Sequence, residues 1–254
     1  MKYGPLMHLK LGEVPTIIVS SPDTAKQILK THDMTFFQRP YVLVHEILSY
    51  NRSNIMIAPY GNYWRQMRKI CTIELLGAKR VQSFRSIREE EVSNLVKDIS
   101  FSSSDTELGM PINLTEKIFS LIYGITSRAA FGNKYCKDQE AFITTIKEVV
   151  KVAGGLCFAD MYPSSQVLKF ISGMRHKLEK LHRAADGILG NIVNEHRKAR
   201  NYGAIKSSCG EQGDQEDLVD VLLKLQEHGD LEFPLTDDNI KAVILVSCLL
   251  NFYH

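Results

Sequence analysis

Pro59-Tyr60-Gly61-Asn62-Tyr63-Trp64-Arg65-Gln66-Met67-Arg68-Lys69 is the stretch that decides the reading of this chain. Tyr63, Met67, Ile70 and Cys71 recur at three- and four-residue spacing, which predicts an amphipathic helix from Gly61 to Leu75, closed by Gly77. Trp64 is the only tryptophan, and Arg68 follows four residues later. Four helical steps of about 100° return Arg68 to within roughly 40° of the Trp64 face. An indole N–H and a guanidinium fork on one face can clamp a carboxylate, and neither donor loses its proton near neutral pH. The same spacing also suits a plain amphipathic helix, and chemistry alone leaves both readings open.

Outward from this helix the chain reads as mainly α with a small N-terminal β-sheet. Leu6, His8 and Lys10 alternate with Met7, Leu9 and Leu11, a turn follows at Gly12-Glu13, and Thr16-Ile17-Ile18-Val19 completes a hairpin. Ser20-Ser21-Pro22-Asp23 starts the first helix. Val81, Phe84, Ile87, Val92, Leu95 and Ile99 mark a long helix with a solvated charge run at Arg88-Glu89-Glu90-Glu91. Asn113 to Ala130 is apolar almost all round and is expected to be buried. Further helices are expected over Ala141–Val152, within Ser164–Arg200, from Asp217, and from a cap at Thr236-Asp237-Asp238. Tyr202–Gln215, rich in Gly and Ser, reads as a surface loop.

Composition closes several other routes. With 254 residues, 44% hydrophobic and 24% charged, the chain has the balance of a folded globular protein. A net charge of +2 gives no nucleic-acid footprint. The uncharged run from Ala242 to His254 is shorter than the roughly 20 residues of a membrane span, and no signal peptide precedes the hairpin. Five cysteines without C-x-x-C spacing argue against both a disulfide framework and a zinc site. His45-Glu46-Ile47-Leu48-Ser49 lacks the second histidine of a zincin helix. His176, His182 and His196, among many Lys and Arg, read as a solvated basic face, with an anion or membrane-surface patch as the alternative.

Many short words in fixed order add a second argument. Lys2-Tyr3-Gly4-Pro5-Leu6-Met7, Phe37-Gln38-Arg39-Pro40, Ala58-Pro59-Tyr60-Gly61, Trp64-Arg65-Gln66-Met67-Arg68-Lys69, Glu74-Leu75-Leu76 and Ala130-Phe131-Gly132 belong to that set. So do Asp217-Leu218-Val219-Asp220-Val221-Leu222-Leu223 and Asn239-Ile240-Lys241-Ala242-Val243-Ile244-Leu245. In this the sequence resembles a cytochrome P-450 of the plant microsomal, terpenoid- and alkaloid-oxidising group. The resemblance implies a haem cofactor, with Trp64 and Arg68 matching the family's W-x-x-x-R pair that bonds a haem propionate. It implies that Ile47–Ile57 matches a substrate-recognition loop, with Asn54, Ile55, Met56 and Ile57 facing an apolar small-molecule substrate. It places Met161–Ser165 in a mobile roof over the pocket. O₂ and an NADPH-dependent reductase are the implied co-reactant and partner, with NADPH acting only through that reductase.

The resemblance stops after Leu245, so the expected organisation is a partial cytochrome P-450 domain over 1–245 and a divergent tail over 246–254. About the first half of a catalytic domain is expected, cut at both ends. No stretch of these residues reads A-G-x-[DE]-T, and none reads F-x-x-G-x-R-x-C-x-G, the loop that carries the family's axial cysteine. The expected function is a fragment of a haem-thiolate monooxygenase, inactive as written. The alternative is a non-catalytic helical product of a truncated gene or mis-joined transcript that binds an apolar ligand or a partner weakly. The family resides at the cytosolic face of the endoplasmic reticulum; without its membrane anchor this chain is expected to be cytosolic or degraded. The helix around Ile118–Ile125 and the final helix around Val243–Leu250 are both expected to leave apolar faces in water.

Overall fold

The computed structural model describes residues 3–104, 111–132, 139–153, 157–165, 167–168, 173–206, 216–228 and 231–250. The expected hairpin forms from β1 (Leu6–Leu11) and β2 (Val14–Val19), antiparallel, with Leu6 opposite Val19 and Leu11 opposite Val14. Gly12 turns the chain at φ +65°, the left-handed conformation that a two-residue hairpin turn requires at its first position. The Met161 carbonyl leaves no room for a Cβ there. Beside it the Glu13 N–H donates to that carbonyl at 2.8 Å, and the Ser164 N–H donates to the Glu13 carboxylate at 3.0 Å. The Met161–Ser165 segment is therefore tied to the hairpin.

Helices make up most of the rest. Ser21 caps α1 (Pro22–Lys26) by accepting the Thr24 N–H, with Pro22 in the first turn. There follow α2 (Asp33–Phe36), α3 (Leu43–Leu48) and α4 (Asn62–Ile70). A wider π-type turn over Cys71–Leu75 prolongs α4, so the helix expected from Gly61 to Leu75 is present. Gly77 does not close it but precedes α5 (Ala78–Ser83). Phe84, at ψ +13°, separates α5 from α6 (Arg85–Ser104), where the apolar periodicity suggested one helix. The remaining helices are α7 (Leu114–Phe131), α8 (Gln139–Ala153), α9 (Phe158–Met161), α10 (Met174–Lys206), α11 (Leu218–His228) and α12 (Asp237–Leu250). Thr236 and Asn239 cap α12 reciprocally: the Asn239 N–H donates to Thr236 Oγ1 at 3.2 Å, and the Thr236 N–H donates to Asn239 Oδ1 at 2.9 Å.

The main core lies where α10, α11 and α12 meet α4, α7 and α8. It contains Leu189 and Val193, Val219, Leu222 and Leu223, Ile240, Val243 and Ile244, together with Met67, Phe142 and Ile146. A smaller cluster joins Val44 and Leu48 of α3 to Val149 and Leu178. Helix α12 corrects one expectation: Val243 to Val246 are at most 2% exposed, so this helix fills the core and presents no open apolar face there. Helix α7 divides in two. Leu114 and Ile118 are exposed, as expected of an unpartnered apolar face, whereas Tyr123, Ala130 and Phe131 are buried, so burial along the whole helix is not found.

Two charged runs also differ from their reading as solvated faces. Arg128 of α7 donates to Glu90 at 2.6 Å and Glu91 at 2.7 Å, pinning α6 to α7. Glu91 thereby leans over Gly124, where a Cβ would meet its carboxylate at 2.7 Å. His196 is buried at 3% exposure and faces the Asp217 carboxylate at 2.8 Å. The 3.6-residue repeat that puts basic residues on one side of α10 brings His196 round to the core. Of the five cysteines, Cys71, Cys157 and Cys248 are free and buried, while Cys136 and Cys209 lie outside the described residues. Helix α10 runs on to Lys206, so Tyr202–Lys206, expected in a surface loop, are helical; the rest of that stretch, 207–215, lies outside the described residues. Among the described residues no helix is long and apolar enough to cross a membrane.

Candidate functional site

Helix α4 presents Trp64 and Arg68 on one side, as their spacing requires. Both line a cleft of about 370 Å³ together with Ile28, Leu29, Met34 and Phe37. The wall is built by stacking: the Phe37 and Tyr60 ring centroids are 4.8 Å apart, and those of Tyr60 and Trp64 are 5.4 Å apart. The Arg68 guanidinium carbon lies 5.1 Å from the Trp64 ring centroid, within cation–π range. Among the described residues, no carboxylate lies within ion-pair distance of Arg68. Arg39 lines the same cleft and so does Asp33, so its wall is mixed, aromatic and charged. A guanidinium held against a ring with its fork unpaired is a ready carboxylate receptor.

The indole N–H is already committed. Trp64 Nε1 donates to the Ile55 carbonyl at 2.9 Å, so the two-donor clamp inferred from spacing is in this structure one donor fork plus a positioning ring. The neighbouring Tyr63 hydroxyl donates to the Ser53 carbonyl at 2.5 Å and accepts from Asn239 Nδ2 at 2.9 Å. Helix α4 thus grips the preceding loop at two successive side chains. Burial pushes the Tyr63 phenol up to about 12, partly offset by its bond to Ser53, so it stays protonated and able to donate at neutral pH.

The four residues assigned to a pocket wall have structural duties of their own. Asn54 is buried, and its side-chain oxygen accepts the Met56 and Ile57 N–H groups at 3.1 and 3.0 Å, which holds the loop in a tight turn. Ile57 is buried, and Ile55 packs against the main core. None of the four lines the Trp64–Arg68 cleft, although the adjacent Ala58 does. The structure therefore brings Trp64 and Arg68 together and keeps Asn54 to Ile57 next door, joined to them by one hydrogen bond. Sequence reasoning missed Tyr63 as the second anchor and Tyr60 as the stacking partner. The i, i+4 spacing of Trp64 and Arg68 was the available signal for their contact, whereas Tyr60 lies before the start of α4 and carried none.

A second polar cluster lies in the core. His196 Nδ1 faces the Ile192 carbonyl and Nε2 the Asp217 carboxylate, both at 2.8 Å. Both partners are acceptors, so the doubly protonated ring satisfies them. Burial, the largest influence, works against that charge, but the hydrogen bond and charge of Asp217 with the Ile192 carbonyl outweigh it and hold His196 above its ordinary value. Asp217 also caps α11 by accepting the Asp220 N–H at 2.9 Å. His196, Asp217 and Asp220 are near enough to share a cation, but the first two already satisfy each other, which makes this a structural clasp.

The aromatic-and-arginine cleft on α4, the capped α11 and α12, and the N-terminal hairpin all belong to one sequence pattern, which matches the cytochrome P450 family model over residues 1–248. The chain belongs to the cytochrome P450 family. Premnaspirodiene oxygenase of Hyoscyamus muticus is 50% identical over 243 residues, covering 96% of this chain and 46% of that protein. Cytochrome P450 71D10 of Glycine max is 54% identical over the same span and shares. Germacrene A hydroxylase of Barnadesia spinosa is 50% identical over 244 residues. A zebra fish cytochrome P450 structure with progesterone superposes with a TM-score of 0.71 at 20% identity, covering 96% of this chain and 52% of the other. The chain thus spans about half the length of the P450 relatives it matches. The family carries haem, whose two propionates are carboxylates, and the donor chemistry here fits one of them: Arg68 is free to bind it, and Trp64 backs the guanidinium.

Proposed function

We propose that this chain forms the part of a plant P450 monooxygenase that anchors a haem propionate and walls an apolar substrate pocket, with a terpenoid as the substrate class. The observation that carries the reading is Arg68, set against the Trp64 ring in a cleft it shares with Arg39 and Asp33, with no carboxylate within ion-pair distance among the described residues. Each residue has a definable task. Arg68 binds the propionate through its guanidinium fork, and the Trp64 ring fixes the direction of that fork. Asn54 sets the turn that places Ile55, Met56 and Ile57 beside that cleft, which Ala58 lines, and the burial of Ile57 and Ala58 keeps water from the loop's inner side. Haem, when bound, supplies oxygen activation, which needs an electron-rich thiolate on the iron and electrons from an NADPH-dependent reductase.

No stretch of the 254 residues reads F-x-x-G-x-R-x-C-x-G, the pattern of the loop that positions such a thiolate. Cys71 and Cys248 are buried, and burial raises both thiols, to about 11 and about 12, which disfavours the thiolate form. We therefore assign this chain haem contact and pocket wall but no oxygen insertion of its own.

Ferric haem titrated into the purified chain tests the first half of this reading, with Trp64 emission as the readout. Saturable binding that weakens about ten-fold or more in Arg68→Ala, the loss expected for a charge-assisted hydrogen bond, supports it. Equal binding by the variant defeats it. Reduction and carbon monoxide then test the second half: no thiolate-type spectrum is expected, and reductase-dependent turnover with that spectrum would refute it.

A further inference from the structure

Ser49-Tyr50-Asn51-Arg52-Ser53 contains no glycine, yet Tyr50, Asn51 and Arg52 sit at φ +51°, +56° and +63° in succession. Asparagine tolerates the left-handed region, whereas tyrosine and arginine are strained there and stay only where surrounding contacts hold them. Backbone bonds close the turn, from the Asn51 N–H to the Glu46 carbonyl at 3.0 Å and from the Ser53 N–H to the Ser49 carbonyl at 2.8 Å. The buried Tyr50 donates its hydroxyl to Asp186 Oδ1 on α10 at 3.1 Å, and Lys241 of α12 donates to that same oxygen at 2.7 Å. Burial raises the Tyr50 phenol far above its ordinary value, so it keeps the proton it donates. Burial works against the Asp186 charge, but the bonds from Lys241 and Tyr50 outweigh it and hold that carboxyl below its ordinary value. The turn is thus locked from two helices of the core.

Arg52 carries the contacts on the other side. One Nη donates to the Arg39 carbonyl at 3.2 Å and reaches the Ile57 carbonyl at 3.5 Å, and the guanidinium carbon lies 6.0 Å from the Tyr41 ring centroid. Its Nε is buried without a hydrogen-bond partner, a cost that a solvent-exposed arginine would avoid. What the placement gains is a bridge. Arg39 lines the Trp64–Arg68 cleft from residues 37–42, a connector without helix or strand, and Ala58, next to Ile57, lines it from the other segment. The Phe37–Tyr60 ring contact also joins these segments, and it is apolar.

We propose that Arg52 is a positioning residue for this cleft: from its left-handed turn it ties the Arg39 segment to the Ala58 segment and so fixes the shape of the cleft for an anionic ligand. The inference rests on the proposed function and deepens it, because Arg52 is not among the residues that line the cleft and sets the site without touching the ligand.

Ferric protoporphyrin IX titrated into the 254-residue chain, with quenching of Trp64 as the readout, tests this through a double-mutant cycle. Arg52→Met keeps the length of the side chain and removes its donors. It should weaken porphyrin binding about five-fold, the effect of roughly one hydrogen bond, while Arg68→Ala remains the larger loss. In the Arg68→Ala background the same substitution should change binding by less than about two-fold, because the cleft it shapes has lost its anion contact. Tyr50→Phe, which removes only the hydroxyl held by Asp186, should act in the same direction by about three-fold, and it carries the cycle if Arg52→Met does not fold. Both losses should persist at high salt, since ties to carbonyls are not screened as exposed charges are. Equal losses in both backgrounds, or a loss confined to low salt, overturn the inference: the first makes Arg52 a general stabiliser, the second a source of long-range field. Unchanged binding in Arg52→Met and Tyr50→Phe, with Arg68→Ala still impaired, also overturns it and leaves the cofactor reading standing. No saturable quenching, or no effect of Arg68→Ala, overturns the cofactor reading and the inference with it.

Discussion

Arg68 on α4 and His196 on α10 are both basic side chains on amphipathic helices, yet their surroundings are opposite. His196 is buried, and each ring nitrogen faces its own acceptor, Ile192 on its own helix and Asp217 at the cap of α11. Arg68 is exposed, leans on an aromatic ring, and has no carboxylate within ion-pair distance among the described residues. A buried cation must be paired because desolvation is costly, so pairing at His196 marks a structural clasp. An exposed guanidinium that is held in direction but left unpaired retains its binding capacity for a ligand. Partner count, more than residue type, separates the two roles.

Removing each side chain should give opposite signatures. His196→Ala leaves Asp217 buried without its partner and should cost about 3–5 kcal/mol of unfolding free energy, read from denaturant midpoints. A loss below about 1 kcal/mol would show that the clasp is solvated in solution. The same pair predicts a smaller pH effect with a definite sign. The folded value of His196 lies above its unfolded value of about 6.5, so its contribution is full below the unfolded value. That contribution is lost as pH rises through the folded value. Melting temperature should therefore fall on the alkaline side, and His196→Gln should remove that part of the slope. Arg68→Ala should change stability least, within about 0.5 kcal/mol, while it weakens haem binding. A large loss of stability there would make Arg68 structural after all and erase the contrast.

Much of this was legible along the chain because it depends on local spacing. The hairpin turn at Gly12-Glu13, the Ser21 and Thr236 caps, the helix beginning at Gly61 and the common face of Trp64 and Arg68 all follow from residues within a few positions of one another. The misreadings have one common cause. The basic character of α10 hid His196, because the acceptor that explains its burial is 21 residues away. The charge run on α6 reads as solvated until Arg128 arrives from α7, 37 residues beyond Glu91. The apolar run of the final helix reads as a face without neighbours, but α7, α8, α10 and α11 supply them.

The sequence by itself determined the family, the mainly α architecture, and the residue types available to hold a carboxylate, since these rest on local periodicity and ordered words. Tertiary structure alone decided which donors are spent and which remain free. It gave the Trp64 N–H to Ile55, tied the Met161–Ser165 segment to the hairpin through Glu13, and left Arg68 unpaired among the described residues. A hydrogen-bond donor can be promised to any acceptor the fold brings near, and a one-dimensional pattern carries no record of which acceptor arrives.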